Sequence, residues 1–157
     1  MSCEEFAGLV RERLEGLHGL HFVDWNERGW TCTVFLANAT TGVELVWEER
    51  IRVLIGRLVD GRLAGPADHI GSTTRIGAHD LEAIMYELGD STDVGAYEMS
   101  ENHEVALGNV IAALDRVVGA LDRYGSDLLE GDFTVFQHMD EVVRARAAAQ
   151  REGRPIP

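Results

Sequence analysis

Apolar residues recur every three or four positions at the start of this chain. Phe6, Leu9, Val10, Leu14 and Leu17 form one stripe, the spacing of a helix face turned toward a core. Ser2, with Glu5 three residues on, has the form of a capping box. Gly16 and Gly19 stand where such a helix must stop. The pattern predicts a helix over residues 3–17. From Leu20 the period changes to two. His21, Val23 and Trp25 alternate with Phe22 and Asp24, and Asn26 to Gly29 reads as a hairpin turn. Trp30, Cys32, Val34 and Leu36 then alternate with Thr31 and Thr33, a half-buried strand. Asn38 to Gly42 supplies the next turn.

The stretch VELVWEERIRVLIGRLVDG, Val43 to Gly61, is the most patterned in the chain. Val43, Leu45 and Trp47 point one way, and Ile51, Val53 and Ile55 resume an apolar face after Glu48-Glu49-Arg50. One strand of about 17 residues would far exceed the usual limit of about ten. The reading is therefore two strands, or one long strand broken by a bulge, near Trp47 to Arg50. Glu48, Glu49, Arg50 and Arg52 balance as two acids against two bases, which marks the stretch as scaffold. The elements so far make a meander of about four antiparallel strands with one face left for helices.

Residues 61–79 read as a long loop with Pro66 and the run Gly71-Ser72-Thr73-Thr74, a length that in a compact domain points to function. Leu81, Ile84, Met85 and Leu88 predict a short helix that stops at Gly89, followed by an irregular link, Asp90 to Ser100. Leu107, Val110, Ile111, Leu114, Val117, Val118 and Leu121 form the longest helical stripe, ended by Gly125. Ser126 to Glu130 adds one turn. Asp132 is placed to cap a last helix whose inner side is Phe133, Phe136, Met139, Val142 and Val143. Early strands and late helices give the α+β class: an N-terminal helix, the meander, then three or more helices packed on one face of the sheet. The whole reads as a single domain over residues 1–149 with a frayed tail over 150–157.

The 157 residues carry a net charge of −13, and all 14 basic residues are Arg. That balance argues against nucleic acid and against an anionic membrane surface, and it favours a basic partner. No run is apolar enough to span a bilayer, and no basic, apolar leader opens the chain. Cys3 at the terminus and Cys32 inside a strand do not suggest a disulfide framework, so a reducing, cytoplasmic setting is expected.

Catalytic and metal motifs fail one by one. His103-Glu104 begins like a zinc-protease helix, but the second His falls at Leu107. The remaining His residues have no ligand spacing. Asp90, Asp93, Gly95 and Glu98 miss the offsets of a calcium loop. Gly65 to Ser72 lacks the Lys of a phosphate loop. No metal, cofactor or catalytic residue is expected.

One feature stands out. From Ile76 to Asp115 there is no basic Lys or Arg, while the span holds nine acids. Glu82, Glu87, Asp90, Asp93, Glu98, Glu101 and Glu104, with Tyr86 and Tyr97 among them, are the candidate partner-binding residues. Acids are also favoured in a helix's first turn, which accounts for part of the set. Aromatic groups in a charged patch are the usual makings of an interface anchor.

The stretch YGSDLLEGDFTVF, Tyr124 to Phe136, resembles the C-terminal end of small acidic bacterial proteins. The overall plan resembles immunity proteins that neutralise toxins. That resemblance, one of layout, implies a non-catalytic inhibitory protein that covers a basic toxin surface, and it carries no site residue with it. A second reading is an enzyme or small-molecule binder with a pocket near loop 61–79, lined by His69, Ser72, Arg75, His79 and Asp80. A third is a structural homodimer joined through a sheet edge or the last helix.

Overall fold

A computed structural model describes residues 1–64 and 76–157. Helix α1 spans Cys3–Leu14, followed by strands β1 (His21–Arg28), β2 (Thr31–Ala37), β3 (Thr41–Trp47), β4 (Ile51–Val59), β5 (Arg62–Leu63) and β6 (Ala78–Asp80). Helices α2 (Leu81–Glu87), α3 (His103–Tyr124), α4 (Ser126–Leu129) and α5 (Phe136–Glu152) complete the chain. The class is α+β, as the pattern predicted. The strands run β1-β2-β3-β4-β5 as an antiparallel meander, and β6 pairs with β4.

Ser2 Oγ accepts the Glu5 N–H at 3.1 Å, so the predicted cap is real. Phe6, Ala7, Val10 and Leu14 are buried on the sheet. The helix stops at Leu14, earlier than the stripe implied, because Gly16 turns left-handed at φ 88 and Leu17 falls in a separate tight turn.

One open sequence expectation about the strands is resolved, and another changes. Residues 43–59 form two strands: Trp47 pairs with Ile51 across the three-residue loop Glu48–Arg50. The first hairpin turns later than expected. β1 continues through Arg28, which pairs with Thr31 across Gly29 and Trp30. Gly29, at φ 61, takes the positive-φ position that such a two-residue turn requires. Trp30 is therefore no strand residue; it projects from the turn, 96% exposed.

Cys3 and Cys32 are both buried and joined as a disulfide. This corrects the expectation of free thiols, and with it the ground for assigning a reducing compartment. Spacing gave no sign of it, because the two cysteines meet only when α1 lies across β2. Among the described residues no helix is long and apolar enough to cross a membrane.

The helix-side face of the sheet (Cys32, Val34, Leu36, Val43, Leu45, Ile51, Val53 and Ile55) packs with residues of all five helices. On the reverse face Phe35, Ala37, Leu54 and Leu63 form a smaller cluster, with the Arg62 guanidinium 4.6 Å above the Phe35 ring. At the β2–β3 turn, Asn38 Nδ2 donates to the carbonyls of His18 and Leu129, and the buried Thr41 hydroxyl donates to Leu128 O. That turn docks α4. Asp132 does not cap α5 directly; its carboxylate accepts from Thr134 N and Oγ1 in the turn before the helix. α5 continues past Ala149, which is buried, to Glu152, and closes at Gly153 in the left-handed region. The helix thus extends into the stretch expected to fray.

The link Asp90–Asn102 is a strap laid antiparallel along α3. Tyr124 Oη donates to Asp90, Arg116 donates to the carbonyls of Val94 and Ala96, and Asn109 donates to Glu98 O. Asn102 then caps α3 by accepting Val105 N–H. The strap's other side joins the sheet: Ile51 N–H donates to Gly95 O at 2.9 Å.

A Cβ on Gly95 would lie 1.8 Å from the Ile51 carbonyl oxygen. Gly95→Ala is expected to cost about 3 kcal/mol, the upper part of the range for forced overpacking, read as a lower midpoint in urea denaturation. Cutting the Cys3–Cys32 link, whose ends are 29 residues apart, should cost about 3 kcal/mol by restoring loop entropy to the unfolded chain. Urea denaturation with and without reductant measures it.

Candidate functional site

Arg50 sits in the β3–β4 loop, where the sequence paired it on paper with Glu48 and Glu49. The structure pairs it differently. Its guanidinium forks onto both Asp93 oxygens, at 2.5 and 3.2 Å, and also contacts Glu82 Oε1. Two acids of the Arg-free span are thus neutralised by a base outside it. Burial pushes the Glu82 carboxyl above its ordinary range, helped by its hydrogen bond with Asp93. Burial also acts upward on Asp93, but the Glu82 hydrogen bond and the Arg50 charge outweigh it and hold that carboxyl low.

Asp90 and Tyr97 are likewise occupied within the fold. Asp90 Oδ1 accepts from Thr92 N and Oγ1, and its second oxygen accepts from Tyr124. These bonds, the Thr92 hydroxyl first, lower its pKa to about 2. Tyr97 Oη accepts Trp47 Nε1–H at 2.7 Å and donates to Glu48 O at 2.9 Å. Burial raises its pKa.

The other proposed partner-binding residues separate into two groups. Tyr86, 74% exposed, and Glu87, whose carboxylate lies 3.7 Å from His138, sit at the end of α2. From there the chain reaches Asp90, bound to Tyr124 at the far end of α3. Glu98, Glu101 and Glu104 are exposed at the near end, where α3 begins. The α3 residues that meet the two parts of the strap, Asn109 and Tyr124, stand about 22 Å apart at 1.5 Å per residue.

Further residues join the second group, and only the fold brings them there. α1 and the turn after it run parallel to α3, since Arg13 of the helix pairs with Asp115 and His18 of the turn with Asp122. The start of α1 therefore lies toward the start of α3. Phe6 stacks on Trp47 at 5.2 Å, and Trp47 holds Tyr97. The β1–β2 and β3–β4 turns share this end of the antiparallel sheet, and Thr31 Oγ1 ties them by donating to Glu48 at 2.7 Å. The end of the molecule thus carries Glu4, Glu5, Glu48, Glu49, Glu98, Glu101 and Glu104, all exposed, around the cluster of buried Phe6 and half-buried Trp47 and Tyr97. None of Glu98, Glu101 and Glu104 has an ion pair among the described residues. Trp30 projects from the same end, and Met99 is 71% exposed there. Arg28 stands on the same hairpin.

Of the alternative pocket, His69, Ser72 and Arg75 lie outside the described residues. His79 and Asp80 are adjacent on β6 but belong to different surroundings. His79, 8% exposed, pairs through Nε2 with Asp140 Oδ1 on α5 at 2.7 Å and meets the Phe136 ring edge-on at 4.7 Å. Asp140 Oδ1 also accepts Gly77 N–H. This pair fastens α5 to the sheet edge. Asp80 turns instead into a cleft of about 230 Å³ between β4, the start of α2 and the strap, lined by Arg50, Arg52, Asp80, Glu82 and Val94 among others. Burial outweighs the nearby Arg52, Arg50 and His79 charges and raises the Asp80 pKa. Among the described residues no group of three or more His, Cys, Asp or Glu is arranged to hold a metal ion.

No protein-family model, curated protein or solved structure matches the chain.

Arg50→Gln should leave Glu82 and Asp93 facing each other without a counter-charge. With the pair partly exposed, the expected loss is about 1 kcal/mol at neutral pH, measured by urea denaturation. Asp90 gives a pH prediction. Its folded pKa of about 2 lies below the ordinary value of about 3.9. Its contribution is full above the ordinary value and is lost as pH falls from there toward 2. Tyr124→Phe removes one bond to the carboxylate, raises that folded pKa and so shrinks the contribution. The acid-unfolding midpoint should move to higher pH, followed by circular dichroism.

Proposed function

We propose that this chain is a non-catalytic binding protein whose acidic end takes a basic protein partner, as immunity-type inhibitors do. One observation carries the reading: exposed carboxylates from α1, the β3–β4 loop, the strap and the start of α3 converge on one end, with Trp30 projecting beside them. Acids from four separate elements have no shared local cause. A first-turn preference accounts for Glu4, Glu5 and Glu104, but not for Glu48, Glu49, Glu98 or Glu101. A field of one sign steers a partner of the other sign and speeds its arrival. An exposed aromatic beside the acids supplies the apolar anchor that charge alone does not. The resemblance in layout to immunity proteins, read from the sequence, supports the same use of carboxylates and aromatics.

The partner is obtained by co-purification with the product of the neighbouring gene, and affinity is read by calorimetry. Reversing Glu98, Glu101 and Glu104 to Lys should weaken binding by roughly a hundredfold, and wild-type affinity should fall with added salt. Trp30→Ala should cost at least tenfold. Reversing Asp127 on α4 and Glu130 at its C-cap, exposed at the opposite end, should leave affinity unchanged. Equal binding by wild type and the triple reversal would falsify this surface assignment.

A further inference from the structure

The cleft beside β4 has chemistry that the protein's own contacts do not use. Arg52 and Asp80 line it together. They are close enough for the Arg52 charge to act on the Asp80 carboxyl, yet no hydrogen bond or ion pair joins them, and neither side chain has another partner among the described residues. Asp80 Oδ1 is fully buried with nothing donating to it, and Arg50 Nε, on the same wall, is buried with nothing to accept its proton. Unmet polar groups of this kind are few in native proteins and call for an explanation. Arg50's terminal nitrogens are spent on Glu82 and Asp93, which leaves Arg52 as the cation open to a ligand. The rest of the lining is Ile51, Val53, Leu81, Glu82, Ala83 and Val94, of which Ala83 is the exposed apolar residue.

An acid and a base that face one small cleft without closing on each other match a ligand of the reverse polarity. We propose that this cleft binds a small zwitterion, an aliphatic α-amino acid. Its carboxylate lies against Arg52, its ammonium against the second, accessible oxygen of Asp80, and its side chain against Ala83 and the edge of Val94. Guanidinium recognises carboxylate through two parallel hydrogen bonds, which fixes the ligand's direction. A partly buried carboxylate gains a charged donor in place of missing water. The cleft adjoins the acidic end at Arg50, but the proposal does not depend on that end's role.

The test uses the full chain and titration calorimetry with L-valine and L-leucine. Two half-ligands, isovalerate and isobutylamine, carry one charge each. Saturable binding of the amino acids is expected, with each half-ligand weaker by at least about tenfold, the worth of one lost charged hydrogen bond. Arg52→Gln should remove the advantage of the carboxylate, and Asp80→Asn that of the ammonium. The comparison of ligands on the wild-type chain stands even where a variant folds poorly. Absence of saturable heat with either amino acid overturns the proposal. So does binding of either half-ligand as tight as the whole.

Discussion

The contact between Gly95 O and Ile51 N–H is the constraint on which the arrangement around β4 depends. It can form only where the strap has no side chain, because the backbones approach closer than any Cβ allows. Once made, it fixes the strap against both β4 and α3, and the neighbouring groups follow. Asp93 comes within reach of Arg50, Tyr97 comes under Trp47, and Asn102 arrives at the start of α3. The outer edge of β4 is then shared by the strap, β6 and β5, which is why that strand can carry charges at one end and close core packing at the other.

Charges that look unbalanced along the chain are balanced in space by residues far from them in sequence. Arg50 lies 32 residues from Glu82 and 43 from Asp93. The effect is to sort the acids: those along the strap's middle become structural, and those at one end stay free. Seven exposed acids thus share one pole although they come from four segments of the chain.

Much of the fold was legible because period and capping are local. The stripe from Leu107 to Leu121 gave α3, Ser2 and Glu5 gave the α1 cap, and alternation gave the meander. What failed was non-local or turned on one residue. Trp30 read as a strand position because alternation continued through it, whereas Gly29's positive φ put it at the tip of the turn. The cysteine link could not be seen without knowing that α1 crosses β2. Of the candidate site, the run of acids was visible, but Arg50's claim on two of them and Tyr124's on a third were not. Glu4, Glu5, Glu48 and Glu49 join the surface only through topology. Asp80 was expected in a pocket near loop 61–79; the cleft it lines is formed with Arg52 at the β4 edge, while His79 belongs to α5.

The other side of the sheet ends at β1, and its details bear on how copies of this chain behave when crowded. β1 is an outer strand of eight residues, the kind of edge on which further strands can stack. Its register slips between Phe22 and Asp24, and the Phe22 N–H is already held by the Glu15 carboxylate at 2.8 Å. A newcomer strand must displace that carboxylate and straighten the slip before it can pair along the whole edge. Such an edge favours a chain that stays dispersed at high concentration and does not seed fibrils.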